Sequence, residues 1–139
     1  MNSKNLNNTV TATEFELDTS IIESIEKGYI TVLFKHDYYS SDSDHGRSLL
    51  KGFMKVIRES LPKINRIILI DSGVKLLSED NPFYDDIVYF AKNVPSFLVC
   101  FESMTEYNIK TNALPMISYV SSYDAAIEIM DSVRLITIQ

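Results

Sequence analysis

The chain has 139 residues, 45% of them hydrophobic and 23% charged, with a formal net charge of −6. That is one domain's worth of chain, able to bury a core without a metal or a disulfide framework, and its acidity argues against binding nucleic acid or docking on an anionic membrane, both of which rest on Lys and Arg. No apolar run approaches the roughly 20 residues of a membrane span, the first ten residues hold no apolar signal core, and one cysteine leaves no internal disulfide, so a reducing, cytoplasmic setting is expected.

Residues 1–28 read as an N-terminal arm or extension. They are polar and Asn- and Thr-rich to about residue 12. Phe15, Leu17, Ile21, Ile22 and Ile25 then suit a short strand and one helical segment, or an arm laid on a neighbour. Residues 29–139 read as one domain with a regular rhythm. Ile30-Thr31-Val32-Leu33-Phe34 lacks polar alternation, as in a strand covered on both faces. A polar loop, Ser40-Ser41-Asp42-Ser43-Asp44, precedes a helix with Leu49, Leu50, Phe53, Met54 and Ile57 on one face and Lys51, Lys55 and Arg58 opposite. Ser43 or Asp44 supplies its N-cap, and Pro62 marks its end.

Ile67-Ile68-Leu69-Ile70 is a second buried strand. Phe83, Ile87, Phe90 and Ala91 repeat with helical spacing after Pro82. Phe97-Leu98-Val99-Cys100 is a third strand, and residues 116–120 are a weaker fourth. Ser121 to Asp124 is a capping box, opening a helix with Tyr123, Ala126, Ile127 and Met130 on its face. Leu135-Ile136-Thr137-Ile138 is the last strand. Strands alternating with helices imply βαβ units, and right-handed crossovers place helices on both faces. The expected fold is α/β: a three-layer α/β/α sandwich on a mainly parallel sheet of about five strands.

Ligands of open parallel sheets gather outside the carboxyl ends of the strands. That rule selects Lys35, His36 and Asp37 with His45-Gly46, then Asp71, Ser72, Gly73 and Lys75, then Cys100, Glu102 and Ser103. Cys100 is either a small buried hydrophobe or a nucleophilic thiolate, with a helix start marked by the capping-box pattern Ser103-Met104-Thr105-Glu106 favouring the anion. Glu102, if close, opposes that anion by charge repulsion. His36 and His45 are either a base and a polarising group or simple termini-capping residues. Asp71-Ser72-Gly73 is either an anion-holding turn, with Lys75 adding charge, or a plain turn. Two histidines and one cysteine make no closed zinc site, and no metal is expected. The chain has no GxGxxG or P-loop motif, so no cofactor is expected. Tyr38, Tyr39, Phe83, Tyr84, Tyr89 and Tyr107 are the aromatics expected to be partly exposed, as at an interface.

Asp44-His-Gly-Arg-Ser-Leu-Leu-Lys-Gly-Phe53 resembles the "LG-x-x-L-M-K-G-F" stretch of the DsrE-like domain in YedF-type proteins, and Asp71-Ser-Gly-Val-Lys-Leu76 is similar to that family's "N-S-G-V-K-L". Residues 99–109 fall where the family carries its cysteine, and Val120-Ser-Ser-Tyr-Asp-Ala-Ala-Ile127 resembles its "V-S-N-M-Y-E-I". The resemblance runs in order from about residue 29 to 139. It implies a DsrE/DsrF-like sandwich assembled as a homo-oligomer, trimer or hexamer, whose relatives pass sulfur as a cysteine persulfide, the YedF group being linked by name to selenium metabolism. By position Cys100 would be the sulfur acceptor. The family's C-G-T-C pair reads Cys100-Phe101-Glu102-Ser103 here, so a relay would use one thiol, a donor protein and an acceptor protein. The other function compatible with the residues is a non-catalytic oligomeric binding or assembly module on the same fold.

Overall fold

A computed structural model describes residues 28–110 and 114–139. The expected N-terminal arm, Gly28 apart, lies outside the described residues. Nine regular elements follow: β1 (Ile30–Phe34), α1 (Asp44–Glu59), β2 (Ile64–Leu69), α2 (Tyr84–Asn93), β3 (Ser96–Cys100), α3 (Phe101–Glu106), β4 (Ile117–Val120), α4 (Ser122–Met130) and β5 (Arg134–Ile138). Two 3-10 turns, Leu61–Lys63 and Asp71–Leu77, lie on either side of β2.

All five strands are parallel, in the order β4-β3-β2-β1-β5. The apolar runs occupy the centre because a parallel sheet is covered on both faces, and β1 is buried at all five positions. Alternation divides the core in two. Ile30, Val32, Phe34, Ile67, Leu69, Phe97 and Val99 form the first face, packed with α1, α2 and Met104 of α3. Leu33, Ile68 and Leu98 form the second, packed with Ala125 of α4. The steps β1 to β2 to β3 to β4 run one way across the sheet and carry helices on the first face. The single return step, β4 to β5, carries α4 on the second, as a uniform crossover hand requires.

In α1, Leu50, Met54 and Ile57 are buried, Phe53 is half-buried and Leu49 is largely outside. Burial of each large side chain is worth at most about 1.5–3 kcal/mol. Ser43 is the N-cap, its hydroxyl accepting from the Gly46 N–H at 3.0 Å. Gly46 is needed there because a Cβ would sit 1.7 Å from the Ser41 carbonyl oxygen.

Two expectations are corrected. The docked side of α4 is Ala125 with Ile129, while Tyr123, Ala126, Ile127 and Met130 face outward. A small residue lets the helix approach Leu33, Ile68 and Leu98, and the bulky stripe is left outside. Phe83, expected at the surface, is buried in the first-face core.

Candidate functional site at the carboxyl edge of the sheet

The chain leaves β1 through Lys35, His36 and Asp37. His36 is half-buried, stacks on Tyr38 with ring centroids 4.6 Å apart, and shares a 2.7 Å hydrogen bond between Nδ1 and Ser72 Oγ. Ser72 is buried in the 3-10 turn after β2, so this bond fastens the end of one central strand to the end of the next. Lys35 Nζ donates to Gln139 Oε1 at 2.9 Å, beyond the end of β5.

Asp71 adopts a left-handed backbone, φ 49°. Its N–H donates to Ser103 Oγ at 2.8 Å, and its carboxylate accepts from the Tyr107 hydroxyl at 2.7 Å. Ser103 and Tyr107 are one turn apart along α3 and its end, so together they clasp Asp71. That bond, with desolvation second, pushes the Tyr107 hydroxyl up to about 12. Lys75 Nζ lies 4.9 Å above the Tyr107 ring. The Gly73 N–H donates to the Ile70 and Lys35 carbonyls at 2.9 and 3.2 Å. The Asp71 and Gly73 amides are thus spent on the chain's own oxygens, unlike those of an anion-holding turn. Gly73 serves packing, since a Cβ would come 2.4 Å from the Phe34 carbonyl oxygen.

Cys100 ends β3, 4% exposed. Its thiol points to Glu102 Oε1 at 3.9 Å. That carboxylate also accepts from the Ser122 N–H at 2.9 Å and the Ser122 hydroxyl at 3.0 Å. Its own amide first, then the two Ser122 groups and the thiol, hold Glu102 below the ordinary carboxylate value. The expected helix start after Ser103 is also corrected. The helix begins at Phe101, with Cys100 in the N-cap position and no side-chain cap, and the Ser103 hydroxyl serves Asp71 instead.

The strand ends therefore bring together His36 with Ser72, Asp71 with Ser103, and Cys100 with Glu102. His45 stays apart, exposed in the first turn of α1. Tyr107 and Ser122 were not singled out as edge residues. Tyr107 could have been found four residues beyond Ser103 on one helical face, and Ser122 beside the α4 capping box. Asp37 is buried and accepts from Asn81 Nδ2 at 3.3 Å. It borders a cleft of ≈ 300 Å³ with Lys75, Ser78, Asp80, Asn81, Pro82 and Ile109. Among the described residues no group of three or more His, Cys, Asp or Glu is placed to hold a metal ion, and no helix is long and apolar enough to cross a membrane.

No family model matches the chain, and no curated protein matches it. Solved structures do. A conserved protein of unknown function from Bacteroides thetaiotaomicron, BT1422, is 12% identical with a TM-score of 0.57, covering 79% of this chain and 95% of that one. The ychN protein of E. coli is 14% identical with a TM-score of 0.53, covering 80% and 99%. MTH1491 from Methanobacterium thermoautotrophicum, also of unknown function, is 17% identical with a TM-score of 0.55, covering 78% and 98%. At these identities the likeness is one of fold. The five-stranded parallel α/β architecture of this chain is the one it shares with ychN, the DsrE-like fold that the motifs implied.

Proposed function

We propose that the chain is a non-catalytic binding and assembly module on the DsrE-like fold rather than a sulfur carrier. One observation carries this reading: Cys100 is a buried residue, 4% exposed, and its thiol donates to the Glu102 carboxylate at 3.9 Å. Sulfur transfer needs a thiolate that a donor persulfide can reach. Here the residue is buried and its thiol is hydrogen-bonded to a carboxylate. The bonds of His36, Asp71, Glu102 and Ser103 fasten the sheet to its turns and helices, which is a structural use of the carboxyl edge.

Support for a binding role comes from the second face. Tyr123, Met130 and Val133 are 74%, 84% and 74% exposed, with Ile127 and Leu135 beside them in sequence and pattern. Exposed apolar stripes of this kind mark contact surfaces. The occupant proposed is another copy of the chain, in the trimer or hexamer that the resemblance implies.

Intact-mass analysis after incubation with a persulfide donor tests the first claim. The wild type and Cys100→Ser are expected to show the same sulfur uptake. Sulfur gained by the wild type and missing from the variant would overturn it. A single-cysteine sulfur or selenium relay between a donor and an acceptor protein is the second reading. The place of Cys100 at the end of a central strand and the start of α3 favours it, and the same measurement would reveal it.

A further inference from the structure

Among the described residues Asp37 is the one buried carboxylate, 7% exposed. Its Oδ2 accepts from Asn81 Nδ2 at 3.3 Å, and among the described residues its Oδ1 has no hydrogen-bond partner. No described Lys, Arg or His makes an ion pair with it. Arg47 attracts it from farther off, but that guanidinium is bonded to Asp42 at 2.7 Å. A carboxylate offers about four acceptor positions, and taking it out of water is costly unless donors or a cation replace the water. One long bond from a neutral amide leaves most of that demand unmet.

The carboxylate faces open space. Asp37 lines a cleft of ≈ 300 Å³ together with Lys75, Ser78, Asp80 and Asn81, at the small end of the roughly 300–1,000 Å³ of small-molecule sites. The wall beside it is held by its own bonds. The Phe83 N–H donates to Asn81 Oδ1 at 2.9 Å, which fixes the side-chain amide with its Nδ2 toward Asp37. The Asn81 N–H donates to the Ser78 carbonyl at 2.9 Å, and the Ser78 hydroxyl donates to Asp80 Oδ1. Lys75 is the only cation among the lining residues. Its Nζ rests 4.9 Å over the Tyr107 ring and pairs with no carboxylate among the described residues.

We infer that this cleft binds a small zwitterion of the amino-acid class, its ammonium donating to Asp37 and its carboxylate held by Lys75. An ammonium carries three donors and a full positive charge, which is what a buried, under-bonded carboxylate lacks. A lone anion would meet two carboxylates, Asp37 and Asp80, against one lysine. A simple amine would leave Lys75 without a counter-charge. A molecule with both signs answers both groups. A metal ion fits less well, because among the described residues no three His, Cys, Asp or Glu are placed to hold one. The inference stands apart from Cys100 and from the outer surface of α4, so neither of the earlier tests decides it.

Amide NMR spectra of the full chain test it. The common amino acids are added one at a time to millimolar concentration, with methylamine, acetate and calcium chloride as separate probes. At least one amino acid is expected to give saturable shifts at the amides of Asp37, Ser78 and Asn81, binding at least about tenfold more tightly than methylamine or acetate. Asp37→Asn should weaken that amino acid at least about tenfold. Lys75→Met should weaken it to a similar extent without weakening methylamine, and this second variant decides the matter where Asp37→Asn does not fold. Amides at the cleft that no amino acid shifts would overturn the inference. So would methylamine binding as tightly as the amino acid, shifts indifferent to Lys75→Met, or saturation by calcium alone.

Discussion

Glu102 is the residue on which three segments meet: the thiol ending β3, the first turn of α3 and the first residue of α4. Its value is depressed in the folded chain, so its contribution to stability is fully present above the ordinary carboxylate value of 4.5 and is lost as pH falls through the lower, folded value. Melting temperature against pH checks this. The wild type should be more stable than Glu102→Gln at neutral pH, and the gap should close in acid below pH 4.5. A gap independent of pH would mean that the carboxylate's charge contributes nothing. The sequence alone offers Glu102 as a strand-end candidate and as a neighbour that opposes a thiolate. Its tie to Ser122 spans twenty residues and a strand, and no local pattern encodes such a contact.

Capping shows the same division at the level of elements. Ser121 and Ser43 both accept from the amide three residues on, as their patterns predict. Ser121→Ala should cost about 1 kcal/mol, read as a lower urea midpoint with an unchanged slope. The Ser103 pattern failed because its hydroxyl was claimed from outside the helix, by the Asp71 amide. Strands were legible because buried parallel strands are nearly pure apolar runs: the expected first, third and last runs fall within one residue of β1, β3 and β5. The docked face of α4 was not. Tyr123, Ile127 and Met130 make a helical stripe as good as that of Ala125 and Ile129, and periodicity cannot say which stripe meets a partner inside the chain.

For the whole molecule the two faces of the sheet are unequal. Among the described residues three helices pack on one, and α4 alone packs on the other. The apolar side chains left outside on α4 set up a prediction about assembly. Ile127→Asp/Met130→Asp should lower the mass measured by light scattering while leaving the melting temperature of the dispersed protein near that of the wild type, because these side chains are 40% and 84% exposed. An unchanged mass would remove the assembly role from this surface. The shared edge is legible at this scale, since the strand-end rule groups His36, Ser72, Asp71 and Cys100 and the structure places all four at the carboxyl ends of parallel strands. Which of these groups bond to one another is not, because that depends on how far each turn reaches past its strand.

The lone return crossing has a further consequence. β1 to β4 are joined to sequence neighbours, whereas α4 and β5 reach back across the whole sheet and attach at its far side through β1. Their detachment would break one strand ladder and spare the other three. Their lifting would bare Leu33, Ile68 and Leu98, and with the Ser122 bonds gone Glu102 would swing free of the sulfur beside it. The Cys100 thiol would then lose the carboxylate it donates to.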